Sequence, residues 1–171
     1  MQPVPAQDPL PPDGWVYERQ LVGRRCLAVV DEVEVALRIG GDDDPPFSIE
    51  PVLEALRAGA HRLVLDGALV EDDGLARYHL FDVLHVDGFD TTSLPLQTRK
   101  TVMGYCLNFA DPLSFTTHRT GEAAALHDEA CAQGWAGLVA KHVASRYVAG
   151  QSSDWRTLSC VAVRSPTAPS T

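Results

Sequence analysis

The chain has 171 residues, enough for one domain that buries about two thirds of its unfolded surface. With 45% apolar and 22% charged residues it has the composition of a globular protein. It lacks both an apolar run of about 18 residues and a basic-then-apolar leader, so neither a membrane span nor a secretory signal is expected, and the expected location is the cytoplasm. The net charge of −9, from 14 basic and 23 acidic residues, argues against a non-specific grip on duplex DNA, because that affinity comes from Lys and Arg neutralising phosphates.

Residues 1–12, rich in proline and polar side chains, read as a flexible arm, and residues 165–171 (Ser-Pro-Thr-Ala-Pro-Ser-Thr) as a disordered tail. Between them, 13–164 form the folded unit. Trp15–Glu18 and Arg25–Val30 carry strand-forming residues, and a turn at Asp31-Glu32 leads into Val33–Ile39 as a hairpin. Gly40–Pro46 is an acidic loop. Its run Asp42–Asp44 reads as solvated carboxylates rather than a cation site. Helical spacing over 49–57 puts Ile49, Val52, Leu53 and Leu56 on one face. Strands are predicted at 62–70 and 78–84, an amphipathic helix over 121–133 stopped at Gly134, and a strand from Gly137 to Lys141. Strands and helices that do not alternate regularly predict an α+β fold.

Cys26, Cys106, Cys131 and Cys160 are far apart and form no Cys-x-x-Cys pair, so they are read as buried free thiols, without zinc or disulfides. The histidines show no converging spacing. His79 and His85 share a strand face but stand six residues apart, and His61, His118, His127 and His142 are scattered; no metal site is expected. Arg19, Arg24 and Arg25 form the densest basic cluster, read as a solvated edge with partial ion pairing.

Five blocks in fixed order carry a family resemblance. Glu18-Arg19-Gln20-Leu21-Val22-Gly23-Arg24-Arg25 resembles Glu-x-Lys-x-Asp-Gly-x-Arg, the nucleophile motif of ATP-dependent DNA ligases. Leu65-Asp66-Gly67-Ala68-Leu69-Val70 resembles Asp-Gly-Glu-(Leu/Val)-Val. Phe81-Asp82-Val83-Leu84 with Asp87-Gly88, Leu94-Pro95-Leu96 and Arg99 resembles Phe-Asp-Leu-Leu-x-x-Asp-Gly…Leu-Pro-Leu-x-x-Arg. Gly134–Lys141 is similar to Gly-x-Glu-Gly-(Val/Leu)-Val-x-Lys, and Tyr147, Gly150 and Asp154–Ser159 to Tyr-x-x-Gly…Trp-x-Lys-x-Lys. The resemblance is nearest to the ligase domains of bacterial end-joining ligases, which act in DNA repair. It implies an adenylation (nucleotidyltransferase) domain of mainly antiparallel sheets flanked by short helices, over 13–164. The family's oligonucleotide-binding (OB-fold) domain is not expected, since the chain stops soon after Cys160.

Each block keeps its apolar and glycine frame and changes its chemistry. Gln20 replaces the nucleophilic lysine, Val22 the aspartate, Ala68 and Ala136 the glutamates, and Thr157 and Ser159 the lysines. A deprotonated lysine amine attacks the α-phosphorus of ATP, whereas the amide nitrogen of Gln20 has its lone pair delocalised into the carbonyl. By resemblance, the glutamate matching Ala136 helps bind metal and the lysines matching Thr157 and Ser159 face phosphates. Phosphoryl transfer rests on such positioning and charge neutralisation, so the resemblance implies a pseudoenzyme that needs no cofactor.

The chain has only two lysines. Lys100 reads as part of an exposed helix start. Lys141 has the wrong strand parity relative to Ala136 to enter a pocket, unless a bulge intervenes. Glu18, Arg25, Phe81 and Lys141 match surviving pocket positions, and any ATP or AMP binding would rest on them. The expected role is therefore binding, scaffolding or regulation, with residual or repurposed nucleotidyl transfer as the alternative. The expected partner is another protein or a second copy, docked on the surface that the OB-fold domain would cover. DNA binding is expected to be weak or absent, and no membrane association is expected.

Overall fold

A computed structural model describes residues 1–7, 13–41 and 43–160; the tail at 165–171 and Asp42 lie outside them. In chain order the first half comprises β1 (Gln2–Pro5), β2 (Trp15–Arg19), β3 (Arg24–Val30), β4 (Val35–Ile39), α1 (Glu50–Arg57), β5 (Leu63–Asp72) and β6 (Leu75–Val86). The second half comprises β7 (Phe89–Asp90), α2 (Leu96–Cys106), β8 (Leu113–Phe115), β9 (His118–Arg119), α3 (Ala123–Ala132), β10 (Gly137–His142) and β11 (Gln151–Ser159). They build two sheets, in the orders β1-β11-β10-β2-β9 and β4-β3-β5-β6-β7, with β8 added in parallel to β6. The remaining pairings are antiparallel except that of β1 with β11. The fold is the expected α+β.

Tight turns set the register of the second sheet. Asp73-Gly74 and Asp87-Gly88 both have positive φ, at 50° and 78° and at 50° and 86°. This is the conformation that a two-residue hairpin turn matched to strand twist requires. The β3–β4 hairpin also forms, but its turn runs to Glu34, and Val33 is 97% exposed rather than in the strand. The predicted face of α1 buries Val52 and Leu56 against the second sheet, with Ile49 and Leu53 packed beside them.

That sheet carries the main core. Cys26, Leu65, Leu69, Tyr78, Leu80, Val83 and Met103 are at most 1% exposed in one cluster. A second cluster packs Trp15, Tyr17, Leu138 and Ala140 against Leu126 and Ala130 of α3. The opposite face of β2 turns Val16 toward a third cluster with Met1, Leu96 and Trp155. The strand is therefore buried on both sides, which matches its near-continuous burial rather than strict alternation.

Two expectations are corrected. Residues 2–5 are not a loose arm. They form β1, whose Gln2 N–H donates to the Gly150 carbonyl at 2.7 Å, while the Ala6 N–H donates to Thr157 at 2.9 Å. Proline is tolerated there because the strand lies at a sheet edge, and the Met1 side chain next to it is buried in the third cluster. The cysteines are not all free. Cys131 on α3 and Cys160, just past β11, form a disulfide across a separation of 29 residues, leaving Cys26 buried and Cys106 partly buried as thiols.

Leu65 is fully buried at the centre of the main core. Leu65→Ala should destabilise the chain by about 2–5 kcal/mol, read as a lower denaturation midpoint with unchanged slope. Val33→Ala on the exposed turn should stay within about 0.5 kcal/mol.

Candidate functional site

A cleft of about 220 Å³ opens between the two sheets, lined by Glu18, Gln20, Gly23, Arg25, Ala68, Phe81, Lys141, Trp155 and Thr157, among others. Strand geometry explains most of this convergence. On β2, Val16 and Glu18 face the opposite way from Trp15 and Tyr17. In the pairing of β5 with β6, Asp66 faces Asp82 but Gly67 faces Leu80, so Phe81 is an extra residue on β6. This bulge lets Leu80 stay in the core while Phe81 turns into the cleft.

Glu18 anchors the floor. Its carboxylate is 2% exposed and accepts hydrogen bonds from Lys100 Nζ at 2.7 Å and from Lys141 Nζ at 2.5 Å. Lys100 also donates to the Thr116 carbonyl at 3.1 Å, and the Lys141 ammonium sits 4.3 Å from the Phe81 ring centre and 3.9 Å from that of Trp155. Burial pushes the Glu18 carboxyl up, but Lys141 and Lys100 outweigh it and hold the group below its ordinary 4.5. Burial also pulls Lys141 below its ordinary 10.5, against the opposing pull of Glu18.

Both lysine expectations are overturned. Lys100 is buried inside α2 rather than exposed at its start. Lys141 does enter the cleft. Alternation holds along β10, with Leu138 and Ala140 in the second cluster and Val139 and Lys141 lining the cleft; the faulty premise is that Ala136 marks the pocket face, and the residue after it is Gly137. That residue has φ of 146°, and a Cβ there would lie 2.2 Å from the Leu158 carbonyl oxygen. Only glycine fits this entry into β10. Ala136 precedes the strand and does not line the cleft, whereas Val139 and Lys141 do.

The other motif positions divide into two groups. Gln20, Ala68 and Thr157 line the cleft, and the buried Oε1 of Gln20 accepts no hydrogen bond among the described residues. Val22 is 79% exposed and Ser159 is exposed at the end of β11. Gly23 keeps its frame role: a Cβ would come within 2.4 Å of the Leu69 carbonyl oxygen, so only glycine lets this loop approach β5. Arg25 is not a free phosphate ligand. It donates to both carboxylate oxygens of the buried Asp66 and, at 3.0 Å, to the Tyr147 hydroxyl, which itself donates to Asp66 at 2.8 Å. Arg24 pairs with Asp43.

Sequence reasoning gave no site role to Trp155, Lys100 or Met1, yet all three shape the cleft or its floor. The Trp155 match to a family tryptophan was the available signal; for Met1 the chain offered none. His127 converges with Cys131 and Cys160, which its linear spacing did not show.

Two sheets enclosing a cleft with these motif positions define a nucleotidyltransferase-type domain. Residues 69–157, more than half the chain, match the ATP dependent DNA ligase domain, and the chain belongs to that family. It is 28% identical, over 88% of its length, to the multifunctional non-homologous end joining protein LigD of Pseudomonas aeruginosa, and covers 21% of that protein. The fold is similar to that of the ligase domain of M. tuberculosis LigD, at a TM-score of 0.69 and 24% identity over 85% of this chain and 54% of that one. A mycobacterial DNA ligase D complexed with ATP and MES gives a TM-score of 0.67 at 24% identity, over 84% of this chain and 53% of that one. The chain therefore spans about a fifth of the LigD relative and about half of each mycobacterial structure.

Glu18→Gln would leave two buried ammonium groups without their carboxylate, and should cost about 3–5 kcal/mol at neutral pH. Because the folded value of Glu18 is lowered, its contribution is complete above 4.5 and is lost as pH falls through that lowered value. The stability gap between wild type and Glu18→Gln should therefore shrink on acidification below 4.5; denaturant titrations across that range check this.

Proposed function

We propose that this domain has lost nucleotidyl transfer and works by binding, as a scaffold or regulator that joins another protein or a second copy of itself. The observation that supports this most is the state of the cleft: Gln20 stands at the nucleophile position, and both lysines of the chain are held by Glu18. An amide there forms no phosphoramidate. Met1 and Pro3 also line the cleft, and at about 220 Å³ it is below the roughly 300–1,000 Å³ usual for ligand pockets. With a net charge of −9, a protein partner fits this domain better than a DNA backbone does. The printed activities of the relatives, end joining and DNA ligation, are carried over only as the setting in which such a domain would act.

A second reading is favoured by one observation: Glu18, Arg25, Phe81 and Lys141 all line the same cleft, and Lys141 is a buried amine with a lowered pKa. It makes the chain a nucleotide-binding enzyme with residual or repurposed nucleotidyl transfer through Lys141.

Incubation with ATP labelled on the α-phosphate separates the two. The proposed reading expects no covalent adenylate on the wild-type chain, and none on Gln20→Lys, because Val22, Ala68, Ala136, Thr157 and Ser159 remain changed. An acid-labile label on wild type that disappears in Lys141→Met would establish the second reading instead.

A further inference from the structure

We propose that the Cys131–Cys160 pair, when reduced, forms with His127 a binding site for a thiophilic divalent cation such as Zn²⁺. The three residues lie outside the cleft. His127 and Cys131 are one turn apart on α3, so both side chains project from the same helix face. Cys160 reaches them from the end of β11, where its N–H donates to the Ala136 carbonyl at 2.9 Å and Ser159 pairs with Gly137 of β10.

The ligand atoms lie within 4.8 Å of one another, and each residue is half-buried. His127 Nε2 is 3.5 Å from Cys131 Sγ. A tetrahedral zinc ion with Zn–S near 2.3 Å and Zn–N near 2.0–2.1 Å needs N···S edges of about 3.6 Å and S···S edges of about 3.8 Å. One edge is already in place. The cluster's 4.8 Å span accommodates the other two, the S···S edge once the disulfide opens, and the fourth position stays open to water or an added ligand. His127 Nε2 also lies 3.3 Å from the Ser159 carbonyl oxygen, which can only accept from a protonated Nε2; in the metal-binding form the proton sits on Nδ1, this contact is given up, and the Nε2 lone pair turns to the ion.

The chemistry balances with a dithiol as reductant. The dithiol gives up two electrons and two protons and closes its own disulfide, while the Cys131–Cys160 bond opens to two thiols. Zn²⁺ then displaces the two thiol protons and takes the imidazole lone pair. Disulfide and metal use the same sulfur electrons, so the two forms exclude each other. The redox state of the surroundings decides which is present.

The test uses the full chain in two preparations, oxidised, and reduced with dithiothreitol that is then removed without air. Each is titrated with Cd²⁺ and followed by the ultraviolet thiolate-to-cadmium charge-transfer band, with circular dichroism reporting the fold. The reduced chain should saturate at one cadmium per chain, and the oxidised chain should show no band. Cys160→Ser and His127→Ala should each weaken binding about tenfold or more, and the Cys26→Ser/Cys106→Ser double variant should bind as wild type does. A reduced chain that unfolds, a folded reduced chain without the band, or a band unchanged in both Cys160→Ser and His127→Ala overturns the proposal. If either variant is unfolded, the oxidised-versus-reduced comparison of the wild-type chain decides.

Discussion

The fold closes around one buried carboxylate. Glu18 comes from β2 in the first sheet and meets Lys141 from β10 in the same sheet and Lys100 from α2, which packs on β6 of the second. A lone charge at this depth would be costly. Here each group is answered: Glu18 by two ammoniums, Lys100 also by the Thr116 carbonyl, and Lys141 by the faces of Phe81 and Trp155. Removing one member does more harm than forming the set does good, because the others stay buried. The contact thus fixes how the sheets meet, and with them the shape of the cleft.

Two further ion pairs complete this frame. Asp66 and Asp82 face each other across β5 and β6, and each is taken by an arginine, Arg25 and Arg99. Arg99 is fully buried and also donates to the Leu94 and Ser145 carbonyls at 2.6 and 2.8 Å, joining α2 to the loop after β10. These residues are still present at their motif positions, and the reason is energetic: loss of any one strands a buried charge. Gln20, Ala68 and Thr157 line a cleft, while Val22 and Ser159 meet solvent. Side chains in such places can change without unfolding the domain. Retained positions are those on which a buried charge depends, and the changed ones are those on which none does.

Much of the architecture was legible locally. Strand-forming residues on either side of a turn gave the β3–β4 hairpin, helical spacing gave α1, and the Asp-Gly pairs explain the short connections that bound β6. The cleft was legible only as motif identities. The parity count placed Lys141 wrongly because it started from Ala136, which lies outside β10 and off the cleft, and Phe81 reaches the cleft through a bulge that a parity count does not see. Lys100 looked solvent-bound because a lysine early in a helix usually is, and only a carboxylate 82 residues away makes its burial tolerable. The disulfide and its neighbour His127 come together because α3 and the end of β11 pack side by side, a tertiary fact with no trace in linear spacing.

The proline-rich start of the chain has a further effect on assembly. In β1 the inward donors, Gln2 and Ala6 just beyond the strand, are spent on Gly150 and Thr157, while Pro3 and Pro5 occupy the alternate positions and have no N–H to offer. The outer rim of the first sheet is therefore poor in donors, and its other rim is the two-residue β9. A sheet finished in this way resists extension by an added strand. At these two rims a partner would have to recognise side chains and surface shape, and the longer open edge of the domain is β4 in the second sheet.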